Sequence, residues 1–221
     1  MKPFLFLILL PIWANAQTSS CFGTPARGSL EKGVQLPFKG QNFTAYSLVG
    51  YLAGRTYVHS EVKDIILNAY MSLTEQLPSV VYKYAETGLV KGGVFKPHKT
   101  HQNGLSADFM TPMMAADGRS VHLPTHPFNK FGYAIEIDHK GHYGELKIDF
   151  DAMAAHIVQL DKEAKSNGYQ LLRVIFDPQL QDLLFKSKYK DYLRSHIQFS
   201  TKPSWVRHDE HYHVDFKIPC Q

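Results

Sequence analysis

The stretch His211-Tyr212-His213-Val214-Asp215-Phe216-Lys217-Ile218 alternates strictly between two kinds of residue. In an extended strand, successive side chains point to opposite faces. His211, His213, Asp215 and Lys217 therefore share one face, while Tyr212, Val214, Phe216 and Ile218 share the other. An apolar face of this kind packs on a core and holds the opposite face rigid. Two imidazoles then stand side by side on a braced platform, as a metal or catalytic site requires. Residues 211–218 are accordingly predicted to be the last strand of a packed sheet.

His208 lies just upstream, in Arg207-His208-Asp209-Glu210. A second group of the same chemistry lies about a hundred residues earlier, in Pro97-His98-Lys99-Thr100-His101-Gln102-Asn103-Gly104-Leu105-Ser106-Ala107-Asp108. Residues 105–109 again read as a strand, with Asp108 facing away from Ala107 and Phe109, so the carboxylate is presented from a hydrophobically anchored backbone. Zinc takes nitrogen and oxygen ligands tetrahedrally, and a catalytic site keeps one position for water. Two histidines and an aspartate supply three such ligands, and the pKa of a water in the fourth place falls towards about 7. A further, uncoordinated histidine takes a proton or steadies the oxyanion, and His208 and His211 are the candidates.

The rest of the chain reads as one α+β domain over residues 17–221. Val62, Ile65, Ile66, Ala69, Tyr70 and Leu73 recur at helical spacing behind Ser60, which predicts a helix capped by Ser60 and ending before Pro78. Residues 17–58 suggest irregular structure with short strands, residues 80–91 a strand, and Gly92-Gly93 a turn into the His-rich loop. A second helix is predicted over residues 150–167, closed by Gly168. A buried strand is expected over residues 171–176, and a short helix opens at Asp177-Pro178.

Residues 1–16 have the form of a secretory signal: Lys2, an apolar run from Phe4 to Trp13, and Ala14-Asn15-Ala16 as the cleavage pattern. Export to the periplasm is expected, with no integral membrane segment in the mature chain. The two cysteines, Cys21 and Cys220, sit near opposite ends of that chain. Two free thiols in an exported protein are unusual, so a disulfide between them is predicted. The net charge of +4 is modest and its lysines and arginines are scattered, which argues against nucleic acid as a partner. A mildly basic surface suits an anionic polymer.

The segment from His101 to Asp108 resembles the HxxxxxxD motif of the metallopeptidase superfamily that includes lysostaphin-type enzymes, D-Ala-D-Ala metallopeptidases and the hedgehog signalling domain. His211-Tyr212-His213 resembles its HxH motif. Gly92-Gly93, His98, Val174-Ile175-Phe176-Asp177-Pro178 and His208 extend the similarity towards the penicillin-insensitive murein endopeptidases. The resemblance implies a small antiparallel sheet flanked by helices, in the hedgehog and D-Ala-D-Ala-peptidase manner. It implies one catalytic Zn²⁺ held by His101, Asp108 and His213, with His211 against the metal-bound water, His208 a further active-site histidine, and His98 an additional metal or active-site residue. The implied substrate is the D-alanyl-diaminopimelyl cross-link between peptidoglycan stem peptides.

Two departures stand out. The family carries Gly-Leu-Asp-x-Asp in its first motif, and Ser106 replaces the earlier acid, so that acid's support of the ligands is lost or passes to a hydroxyl. Residues 134–150 also diverge. Asp138, His139 and His142 are read there as part of a solvated hairpin, with a second metal site as the alternative. Two other functions fit the same residues. One is a D,D-carboxypeptidase or other wall-peptide hydrolase of the superfamily, which would use Arg119, Arg173 or Arg207 on a terminal carboxylate. The other is a catalytically silent zinc module that binds the wall.

Overall fold

The structure, a computed structural model, describes residues 18–202, 204 and 206–221; the predicted signal segment lies outside the described residues. The chain opens with a hairpin of β1 (Ser20–Thr24) and β2 (Arg27–Glu31), and Cys21 on β1 is disulfide-bonded to Cys220. β3 (Val34–Gln35), β4 (Phe43–Ala45), α1 (Leu48–Leu52) and β5 (Tyr57–Val58) follow, and β3 pairs with β5. The short strands match the expectation for residues 17–58. The one-turn helix α1 is an addition, capped by the Ser47 side chain, which accepts from the Gly50 N–H.

Helix α2 (Ser60–Gln76) buries the six apolar residues picked out by spacing, Val62, Ile65, Ile66, Ala69, Tyr70 and Leu73. Its cap is His59, not Ser60. The Ser60 hydroxyl accepts from the Ser19 N–H, and the Ser19 hydroxyl accepts in turn from the Ser60 N–H, each at 3.0 Å. With that hydroxyl engaged outside the helix, His59 Nδ1 receives the Glu61 N–H instead.

The strands after α2 are β6 (Tyr82–Tyr84), β7 (Ser106–Met110), β8 (Met113–Met114), β9 (Ser120–Val121), β10 (His142–Tyr143) and β11 (Leu146–Ile148). Helix α3 (Phe150–Ser166), β12 (Gln170–Ile175), α4 (Pro178–Leu184), α5 (Lys190–His196) and β13 (His211–Lys217) complete the described chain. Two of the helix ends read from sequence recur here: Gly168 takes φ +78° after the end of α3, and Asp177 receives the Gln179 N–H ahead of Pro178. The start of α3 adds a cap of its own, with Asp149 receiving the Ala152 N–H.

The main sheet runs β12-β13-β7-β6-β4. Its pairs are antiparallel except β4 with β6, which is parallel, so the expectation of a wholly antiparallel sheet is corrected at that edge. The strand expected over residues 80–91 narrows to three residues. The strand expected to be buried at residues 171–176 is the opposite edge of the sheet; only Val174 within β12 is buried, and Leu172 is 43% exposed. An apolar run does not reveal whether a second strand covers its far side. β13, last in sequence, lies in the interior of the sheet.

The aromatic face of that sheet is the core. Tyr70 from α2 stacks on His156 from α3 at 4.9 Å, and both rings meet Tyr82 and Phe109. Phe109 stacks on Tyr212 at 5.5 Å. Ala107, Phe109, Tyr212, Val214 and Phe216 are all at most 1% exposed. Each large apolar side chain buried this way contributes roughly 1.5–3 kcal/mol. That burial sets the orientation of the other face, which carries Asp108, His211, His213 and Asp215.

Residues 134–150 do form a hairpin, β10 with β11, on a four-stranded sheet with β8 and β9. Asp138 Oδ1 accepts from the N–H groups of Lys140 and His142 and so closes a turn, and Asp138, His139 and His142 are exposed. Among the described residues these three do not gather into a metal-binding group. Nor, among those residues, is any helix long and apolar enough to cross a membrane.

Candidate metal centre

The loop between β6 and β7 brings the first histidine group to the sheet. Gly92, at φ +63°, lies so close to that loop that a Cβ would sit 2.1 Å from the Gln102 carbonyl oxygen. The Gly93 N–H donates to the same carbonyl at 2.8 Å, fastening the turn to the residue after His101. His101 itself has φ +67°, a left-handed conformation that costs a non-glycine residue on the order of 1–3 kcal/mol. Its ring is held there by an Nδ1–H bond to the Thr87 carbonyl at 3.1 Å.

With Nδ1 as the donor, His101 Nε2 carries a lone pair. That atom is buried, lacks a hydrogen-bond partner, and lies 3.3 Å from Asp108 Oδ1. Two buried acceptors aimed at one another are a poor arrangement unless a cation lies between them. His98, His101 and Asp108 each offer a ligand atom within 4.8 Å of the others, so this group can bind a metal ion. The donor set of two imidazoles and a carboxylate fits a divalent metal of the zinc type.

Asp108 is the hub. Its Oδ1 also meets His213 Nδ1 at 2.8 Å, and its Oδ2 accepts from the Tyr133 hydroxyl at 3.1 Å. His98 Nδ1 and His211 Nε2 lie 3.7 Å and 3.8 Å from the same Oδ2. The cross-strand register explains the convergence, because Asp108 on β7 is paired directly with His213 on β13. Burial opposes ionisation of Asp108, but the surrounding histidines hold its carboxyl well below the usual range.

His211 and His208 stand beside this hub with ring centroids 4.5 Å apart. His211 Nδ1 lies 2.8 Å from Glu210 Oε1, and His208 Nδ1 donates to the Val206 carbonyl at 2.7 Å. Burial pushes both imidazoles down, His211 to about 4 and His208 to about 3, so both are neutral bases near pH 7. Burial also raises Glu210 to about 7. All six residues marked from sequence, His98, His101, Asp108, His208, His211 and His213, therefore lie in one cluster.

Several partners were not legible. Glu86 receives the His98 Nε2–H at 2.7 Å, the Tyr46 hydroxyl at 2.8 Å and a two-point contact from Arg55. Burial alone would raise this carboxyl, but His98 and Arg55 bring it down to about 2. Tyr133 bridges the Glu86 N–H and Asp108. Arg55, Glu86 and Tyr133 come from three distant segments with no shared spacing, so no sequence pattern joins them. Asp215 did carry a signal, since alternation placed it on the face of His211 and His213.

A cleft of 60 Å³ lined by His98, Thr100, Ile175, Ser204, His208 and His213 opens onto the cluster. The larger depression of 410 Å³ beside Gly168, Tyr169 and Lys217 holds no cluster of catalytic side chains, so the smaller cleft is the relevant one. Neutral bases beside a cation-binding group in an accessible cleft are equipped for hydrolysis by activated water. Residues 21–221 match the penicillin-insensitive murein endopeptidase family. A comparison with curated proteins finds no match.

Proposed function

The chain belongs to the penicillin-insensitive murein endopeptidase family, and we propose that it is a zinc peptidase that hydrolyses D-alanyl-diaminopimelyl cross-links of peptidoglycan in the periplasm. The observation that carries this reading is the meeting of His101 Nε2 and His213 Nδ1 on one oxygen of Asp108, with two neutral histidines alongside. His101, Asp108 and His213 would hold the zinc, and His98 is a further donor next to them. When bound, zinc supplies a Lewis acid that polarises a carbonyl and lowers the pKa of water.

The chain's own residues supply the rest. His211 takes the proton of the attacking water at Nε2, because its Nδ1 is engaged by Glu210. The proton that His211 accepts is returned to the leaving amine from the same Nε2, and His208, anchored through Nδ1 to the Val206 carbonyl, presents a second neutral imidazole as an acceptor in the same space. Glu86, fixed by Arg55 and Tyr46, orients His98. Tyr133 fixes Asp108. Export to the periplasm rests on the signal-like residues 1–16.

An endopeptidase is favoured over a carboxypeptidase because each candidate arginine already has a carboxylate partner. Arg119 pairs with Asp117, Arg173 with Asp215, and Arg207 with Glu136. Digestion of purified cross-linked and uncross-linked muropeptides tests the reading. Loss of cross-linked dimers without free D-alanine is expected. Release of D-alanine would identify a carboxypeptidase, and a zinc-loaded but inert protein would identify a binding module.

A further inference from the structure

Asp215 lies two residues beyond His213 on β13 and is fully buried. Its position in the register makes it the direct cross-strand neighbour of Ser106 on β7 and of Arg173 on β12. Three donors from three adjacent strands meet on its carboxylate. Oδ1 accepts from the Ser106 hydroxyl at 2.5 Å and from His213 Nε2–H at 2.8 Å, and Oδ2 accepts from Arg173 Nε at 2.6 Å. A buried carboxylate is tolerated only when paired and hydrogen-bonded in this way.

The pairing with Arg173 alone would satisfy the charge of Asp215. The bond to His213 therefore has a separate consequence. It keeps a proton on Nε2, so that Nδ1, 2.8 Å from Asp108 Oδ1, is the nitrogen left to ligate a metal. A ligating imidazole needs just such a partner on its second nitrogen to set tautomer and ring orientation. Ser106 contributes nothing charged to His213, but by donating to Oδ1 it fixes which carboxylate oxygen the ring meets.

We infer that Asp215 is the positioning residue for His213, and that it supplies from β13 the carboxylate missing at Ser106 on the facing strand. Asp215 and Ser106 are register partners, and Arg173 on the third strand balances the charge of Asp215. The assignment rests on the zinc reading above, but concerns metal affinity rather than turnover.

The test is zinc affinity of the full mature chain, measured by competition with a chromophoric chelator, together with the visible spectrum of the cobalt-substituted protein. D215N and D215S are expected to weaken zinc binding by roughly 10–100-fold and to alter the cobalt spectrum. The double variant S106D/D215S, which returns the acid to β7, is expected to recover most of that loss. A merely structural role for Asp215 predicts no such rescue. If D215S fails to fold, S106A carries the same test, with an expected loss of about three- to tenfold. Wild-type affinity in D215N and S106A overturns the assignment, and so does a loss in D215S that S106D leaves unrepaired. Wild-type protein that takes up no zinc overturns the zinc reading itself, and the assignment falls with it.

Discussion

His101 Nε2 faces Asp108 Oδ1 across 3.3 Å, while the other nitrogen of the ring is engaged by the Thr87 carbonyl. Neither facing atom carries a hydrogen to share, and both are shut off from water. A divalent cation satisfies both atoms. Zinc content is expected to drop to background in His101→Ala and Asp108→Ala, as read by elemental analysis after dialysis. His211→Ala should keep its zinc while turnover falls by about 10²–10⁴-fold, the usual worth of a general base. Stoichiometric zinc loss in that last variant would show that the ligand and base roles are wrongly divided.

Glu210 sets the pH dependence of the base. Burial holds it protonated up to about 7, and its Oε1 lies 2.8 Å from His211 Nδ1. As pH rises through that value Glu210 becomes a carboxylate, a stronger acceptor for the Nδ1–H, and Nε2 becomes the better base. Turnover should therefore climb through about pH 7, and Glu210→Gln should flatten that limb. A pH–rate profile with the limb intact in the variant would separate Glu210 from the reaction.

The core histidine contributes to the loss of stability in acid. His156 is fully buried, with Nδ1 2.6 Å from the Tyr212 hydroxyl, and burial lowers its pKa to about 3 from an ordinary 6.5. Below pH 6.5 the unfolded chain binds a proton that the folded chain refuses. Stability is thus present above 6.5 and lost as pH falls towards 3, by up to about 1.4 kcal/mol per pH unit. Denaturant titrations at a series of pH values should show this slope, and His156→Gln should reduce it even if the variant is less stable at neutral pH.

The disulfide is expected to matter more for stability than for catalysis. Cys21 and Cys220 are 199 residues apart in sequence, and closing so long a loop restricts the unfolded chain by about 5 kcal/mol in the chain-entropy account. Backbone bonds between Gly23 and Gln221, and between Gln221 and Cys21, hold the same ends together in the folded state. Cys21→Ser with Cys220→Ser should therefore unfold at markedly lower denaturant, yet retain zinc and turnover under native conditions. An unchanged midpoint would show that the ends are already constrained without the bond.

What the sequence made legible was local. The two faces of β13, the six buried residues of α2, the end of α3 at Gly168 and the start of α4 at Asp177-Pro178 each follow from signals within a few residues. The cap of α2 was misplaced by one residue because the Ser60 hydroxyl is taken by Ser19, a contact 41 positions away. The same limit applies to the site. His101, Asp108 and His213 lie in recognisable motifs, whereas Arg55, Glu86 and Tyr133 meet only because the sheet and its loops fold over one another. Ser106 was visible as a departure from a pattern, but its compensation by Asp215 needs the register of two strands, and single-sequence spacing does not contain it.

The alternation of β13 ties its register to activity. Sliding the strand by one position against β7 would carry Tyr212 and Val214 into the cleft and drive His211, His213 and Asp215 among the core aromatics. A mispaired sheet would be unstable and inactive at once, so no off-register form of the molecule retains partial function. Insertions or deletions within residues 211–216 should consequently act as all-or-none lesions. Length changes in the exposed turn around Asp138 can instead be graded. Hydrolysis by a refolded sample is thus a direct reading of how many molecules have their central strand correctly seated.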